Sequence, residues 1–238
     1  MACRFGSCHA CTVSFSSLPP TRPPTSDEDD GSLNSPLGRA ATAMLVYLVV
    51  LWLVDFVNAG TSRRLFEEGG IRARDVGSLP DIITAPFLHA NIDHLTGNAT
   101  ALFSLGIIAA LPGIRRFLMV TGVIIVVSGL GVWLFSPSRF VTAGASGVIF
   151  GYLGYLMVRG LIDRRPVDLV VTAGVAIAYG YWVWDAVNPA PNVSWQGHLS
   201  GFLGGILAAW IFRRRRPKPA AEPPSPTFGT GLGPTLSP

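Results

Sequence analysis

The stretch Ala145-Ser146-Gly147-Val148-Ile149-Phe150-Gly151-Tyr152-Leu153-Gly154-Tyr155-Leu156-Met157-Val158-Arg159-Gly160-Leu161-Ile162 carries a single charge, and that charge sits near its end. About 20 apolar residues in a helix cross the hydrocarbon core of a bilayer, so this run is long enough to span one. Five similar runs surround it, at residues 41–58, 94–112, 116–135, 167–187 and 196–212. Together they predict an all-α polytopic membrane protein, a bundle of six transmembrane helices. The composition agrees, with 49% hydrophobic and only 13% charged residues among 238, a balance typical of membrane rather than soluble chains. The charges gather between the runs, so residues 41–212 read as one membrane domain.

The flanks read differently. Residues 1–40 are rich in Ser, Pro, Thr and Gly and hold the acidic run Asp27-Glu28-Asp29-Asp30. Such a segment has too little apolar surface to fold alone and is expected to be disordered. Met44 heads the first apolar run, which suggests translation starting there. Residues 213–238 begin with Arg213 to Arg216 and continue Pro- and Gly-rich, which predicts a basic and then disordered tail. Cys3, Cys8 and Cys11 all lie in the first flank and leave the core without a disulfide.

An even number of spans places both termini on one side. Arg115 and Arg116 follow the second run, Arg159, Arg164 and Arg165 cluster at the end of the fourth, and Arg213 to Arg216 follow the sixth. Positive charge at span ends marks the cytoplasmic side, so both termini are expected in the cytoplasm, in a multi-pass protein of the plasma membrane. This use of the arginines also accounts for the net charge of +4 without a nucleic-acid partner. Most of the six tryptophans lie toward span ends, as interfacial anchors do. On this topology His94, Ser146 and His198 share one depth, the outer third of the membrane.

Polar, proton-exchanging side chains are costly in hydrocarbon and are candidates for function there. Serine is a weak nucleophile that needs an adjacent base, and His198 is the natural base for Ser146. Gly144 and Gly147 flank the serine and remove side chains where a substrate backbone must approach. Ser146 also falls at a helix start, where free N–H groups can hold a developing oxyanion. His94 and Asn98 are four apart and share a helix face, which adds two side-chain donors. Each piece has a packing explanation too. Small residues such as those of Gly144-Ala145-Ser146-Gly147, and the stripe Gly197, Gly201, Gly205, let membrane helices approach closely, and His198 alone reads equally as a buried, hydrogen-bonded histidine.

Metal ligation is the weaker reading of the histidines. On a continuous helix His89 and His94 would point about 140° apart, the chain holds four histidines, and it lacks a His-Glu-x-x-His motif. The tail residues Cys3, Cys8, His9 and Cys11 have no regular ligand spacing. No metal and no cofactor is expected.

With these residues in order, the chain resembles the rhomboid intramembrane serine proteases over residues 41–212. The resemblance rests on His89 with His94-Leu95 and Asn98, on Gly144-Ala145-Ser146-Gly147, and on Gly197-His198 with Gly201 and Gly205. It implies a rhomboid-like six-helix bundle in the lipid bilayer that cleaves transmembrane protein substrates through a Ser146 and His198 pair. It further implies His94, Asn98 and the Ser146 amide as oxyanion stabilisers, His89 as a supporting residue, and Phe150 packed on His198. The Trp-Arg pair that many rhomboids carry in the first outer loop is missing from residues 59–93. The alternative is a catalytically inactive relative that binds transmembrane helices.

Overall fold

The computed structural model describes residues 33–187 and 193–214. Cys3, Cys8, His9, Cys11 and most of both tails lie outside the described residues. Within them the chain is mostly helical. The first expected span is helix α1, Pro36–Gly60. It begins five residues before the expected start at 41, because the Ser35 hydroxyl accepts from the Gly38 N–H at 2.9 Å and Pro36 occupies the first turn, where its missing N–H costs nothing.

Between the first two spans the chain forms short elements. They are α2 (Arg64–Gly69), β1 (Ile71–Arg72) and α3 (Asp81–Thr84), with single 3-10 turns at Val76–Ser78 and Ala85–Phe87. The second expected span is α4, Ile92–Ala110, and the third is α5, Ile114–Phe135. β2, Val141–Thr142, pairs antiparallel with β1, Ile71 opposite Thr142. The fourth expected span is α6, Ser146–Asp163.

The fifth run differs from expectation. Residues 167–187 were expected as one helix, but they form α7 (Pro166–Tyr179) and α8 (Trp182–Val187), separated at Gly180 and Tyr181. Glycine is among the weakest helix formers, and the break turns Trp182 inward. Its ring lies 6.0 Å from Phe150 and 5.6 Å from Tyr179, so this half-buried tryptophan packs against the rings of α6 and α7. Trp133 also has a fixed partner, donating to the Asp75 carbonyl at 2.8 Å. The last expected span is α9, Trp195–Ile211. Among the described residues, α1 and α5 are the two helices long and apolar enough to cross a membrane by themselves.

Helices α6 and α9 form the centre. Along α6, Tyr152, Leu153 and Tyr155 are fully buried, and glycines recur on the faces that meet α5 and α9. A Cβ on Gly151 would overlap Ile124, one on Gly201 the Gly147 carbonyl oxygen, and one on Gly205 the Gly151 carbonyl oxygen. Backbones approach this closely only where side chains are absent, which fixes the register of α9 against α6.

Candidate active site

Three helix starts build the site. α6 opens on Ser146 after the Val141–Thr142 strand, and Gly144 makes the turn between them with φ +144°, a conformation glycine takes without strain. Its N–H donates to Ala85 at 2.9 Å. A Cβ at Gly144 would stand 2.8 Å from His94 Cε1, so the chain ahead of Ser146 lies directly against the His94 ring. The cap residue Ala145 offers no side-chain bond, and among the described residues the amides of Ser146 and Gly147 spend no bond on other backbone. These are the orphan donors expected in a first helical turn.

α4 presents His94. Asn91 caps the helix, its Oδ1 accepting from the His94 N–H at 2.8 Å. One turn on, Asn98 is buried and its Nδ2 has no partner among the described residues. A buried amide donor left unspent is uncommon and calls for an explanation.

α9 brings His198. The Ser194 hydroxyl caps it, accepting from the Gly197 N–H at 3.3 Å, and Ser128 on α5 donates to the Gly197 carbonyl at 2.9 Å. The His198 ring stacks on Phe150, centroids 4.1 Å apart and planes 19° apart. Phe150 lies four residues after Ser146 and so on the same face of α6. His198 is therefore held one turn along that helix from the serine, in a row that continues through Phe150 to Trp182 and Tyr179.

A cleft of about 790 Å³ opens over this region, and Ser146, His94, Gly144 and Gly147 are on its wall. His198, Asn98 and His89 are buried and do not line it. His89 is fully buried. Its ring stands edge-on to His94 at 5.2 Å, and its Nε2 accepts from the Ala145 N–H at 3.4 Å. Burial, with lesser contributions from His94 and Arg63, pushes the His89 imidazole down to about 3, so the ring stays neutral near pH 7. Because the unfolded chain binds this proton at about pH 6.5, stability is present above that value and is lost as pH falls toward 3. His89→Gln, which keeps an acceptor for Ala145, is expected to flatten the fall in thermal midpoint between pH 6.5 and 4. A slope equal to the parent's would remove His89 from that role.

Sequence reasoning missed the residues that hold the His89 loop. Asp55 and Asn58 are buried near the end of α1, where they read as the polar edge of an apolar run. Asn58 Nδ2 donates to the His89 carbonyl at 3.2 Å and its Oδ1 accepts from the Phe66 N–H at 3.0 Å. Arg63 pairs with Asp55 and also reaches the His89 carbonyl, at 3.4 Å. Two polar residues in the last six positions of an apolar helix, with Arg63 just beyond, are the signal that was available, since such residues in apolar segments usually have a named partner.

A family model for the Rhomboid domain matches residues 76–215, more than half the chain and all of the cleft's serine, histidine and glycine positions. The chain belongs to the rhomboid family. Among its relatives are uncharacterized proteins of Mycobacterium tuberculosis, 37% identical over 71% of this chain and 74% of the relative, and of Mycobacterium leprae, 35% identical over 79% and 78%. It is also similar to the rhomboid protease GluP of Bacillus subtilis, 31% identical over 54% of this chain and 25% of that protein. Most of this rhomboid's cleft lies inside the matched region, while its lining residues Phe66 and Ile71, the Asp55–Arg63 pair and Asn58 lie ahead of it.

Proposed function

We propose that this rhomboid is an intramembrane serine endopeptidase that cleaves peptide bonds in or near transmembrane segments of other membrane proteins. The observation that carries the reading is the start of α6. Ser146 stands on the wall of the cleft beside His94, and among the described residues its N–H and that of Gly147 are bonded to no backbone carbonyl. In the proposed reaction Ser146 attacks the scissile carbonyl and His198, oriented by Phe150, takes the hydroxyl proton and returns it to the leaving amine. The carbonyl oxygen becomes negative as the tetrahedral intermediate forms. The Ser146 N–H, His94 and the Asn98 amide stabilise it, and the unspent Nδ2 of Asn98 supports that assignment. Gly144 and Gly147 keep the approach to the serine free of side chains.

The reading includes six spans, made by α1, α4, α5, α6, α7 with α8, and α9, in a multi-pass protein of the plasma membrane with both termini in the cytoplasm. Water reaches the serine through the cleft, since polar backbone at membrane depth is tolerated only where protein lines a cavity.

His94→Ala and Asn98→Ala are each expected to lower kcat about 100- to 1000-fold with little change in KM, the usual cost of one oxyanion donor. Initial rates on a single-pass substrate in proteoliposomes provide the check. The same assay tests the reading as a whole: the parent produces a defined cleavage product and Ser146→Ala does not. Substrate that binds the folded parent but remains uncut would favour the inactive relative that binds transmembrane helices.

A further inference from the structure

At the opposite end of α6 from Ser146, about 25 Å away by helical rise, lies a second cleft of about 490 Å³. It sits between the α4–α5 connection, the start of α7 and the chain after α9. Its walls carry three arginines, Arg159, Arg165 and Arg214, against one carboxylate, Asp168, with apolar surface from Ile108, Leu111, Val167 and Val171.

The charges here are arranged in two layers. Arg159 is 7% exposed and is committed to the protein: it donates to Asp168 at 2.6 Å and faces Asp163 at 3.7 Å. Asp163 is also 3.8 Å from Arg116 and accepts from the Arg214 N–H at 3.0 Å. That last bond ties the basic segment after α9 to the end of α6 and brings Arg214 to the cleft. The outer layer is uncommitted. Arg165 and Arg214 are exposed, and their guanidinium groups make no hydrogen bond or ion pair among the described residues.

We infer that this cleft binds a phosphate-bearing anion, with Arg165 and Arg214 as the groups that grip it and the ion-paired Arg159 as its fixed floor. Guanidinium forks match phosphate oxygens bidentately. The single cleft carboxylate is spent on Arg159, which leaves the two outer arginines as net positive charge. Apolar walls beside a basic pocket between membrane helices are the setting in which anionic lipid head groups dock. A phospholipid head group and free phosphate share the chemistry, and the apolar wall favours the lipid.

The test uses the full chain purified in detergent, its thermal midpoint titrated separately with phosphatidylglycerol, phosphatidylcholine and inorganic phosphate. The inference expects phosphatidylglycerol to raise the midpoint and phosphatidylcholine not to. Arg165→Gln combined with Arg214→Gln, which touches no buried group, keeps the unliganded midpoint and needs about tenfold more phosphatidylglycerol for the same rise. Arg39→Gln with Arg115→Gln removes equal charge from exposed positions at the same end of the bundle and leaves the titration unchanged. A rise with inorganic phosphate that shows the same variant dependence supports the site and assigns it to the free anion. No rise with either ligand overturns the inference. So does an equal response in the parent and the Arg165/Arg214 variant, or an equal loss in the Arg39/Arg115 control.

Discussion

Gly205→Ala is expected to lower the thermal midpoint by roughly 10 °C, although it adds one methyl group. The new Cβ would overlap the Gly151 carbonyl oxygen and crowd the Tyr155 amide. Both are backbone atoms of the central helix, so neither can rotate away as a side chain does. α9 would have to separate from α6, and such overpacking costs about 1–3 kcal/mol or more, equivalent to several degrees in a chain of this size. Gly122→Ala and Gly174→Ala form the internal control, because a Cβ at either site meets nothing within 4 Å. In a helix interior with open space the same change is favourable by up to about 1 kcal/mol, so these variants should hold or raise the midpoint. Thermal unfolding of the three variants, followed by tryptophan fluorescence, is the measurement. A Gly205→Ala midpoint equal to the controls would mean that the close α6–α9 contact is not what holds these helices together.

The second large effect concerns the reaction. Ser146→Ala and His198→Ala are each expected to reduce turnover of a transmembrane substrate on the order of 10⁴-fold or more, and the double variant to be no worse than either single one. Nucleophile and base act as one unit, so losing either removes the same step. Phe150→Leu separates orientation from chemistry. It removes the ring stacked on His198 and is expected to lower kcat while leaving the serine in place. Independent, multiplying losses for Ser146 and His198 would argue that the two do not share a proton.

Much of the fold is legible in the sequence because apolar length is a strong signal. The helices at 36–60, 92–110, 114–135, 146–163 and 195–211 fall within a few residues of the expected runs. Gly180 was overlooked because hydropathy is blind to a helix break inside an apolar segment. The inward turn of Trp182 followed from that break. The Gly-Ala-Ser-Gly run and the stripe Gly197, Gly201, Gly205 were visible as small residues, but spacing alone does not say which backbone each one meets. That needs the relative rotation of α6 and α9.

Charge was the least legible feature. Arg159 reads from the sequence as a positive span end, yet it is buried between Asp163 and Asp168. Asp55 and Asn58 read as the tail of a hydrophobic run, yet they fasten the His89 carbonyl and the Phe66 amide. Asp163 is four residues on along α6, but Asp168 comes from α7, and the His89 carbonyl is 31 residues away from Asn58. Side-chain periodicity within one helix carries no information about such pairs. Their consequence for the cleft is indirect: the loop fixed by Asn58 and Arg63 carries His89, and His89 accepts from the amide just ahead of Ser146.

The central claim is that Ser146 is a nucleophile activated by His198. It is tested most directly by treating the purified, folded protein with a fluorophosphonate and mapping the adduct by peptide mass spectrometry. The account predicts one adduct, on Ser146, that forms at a strongly reduced rate in His198→Ala and is absent from Ser146→Ala. An adduct on another residue, or labelling of Ser146 at the same rate without His198, would contradict it.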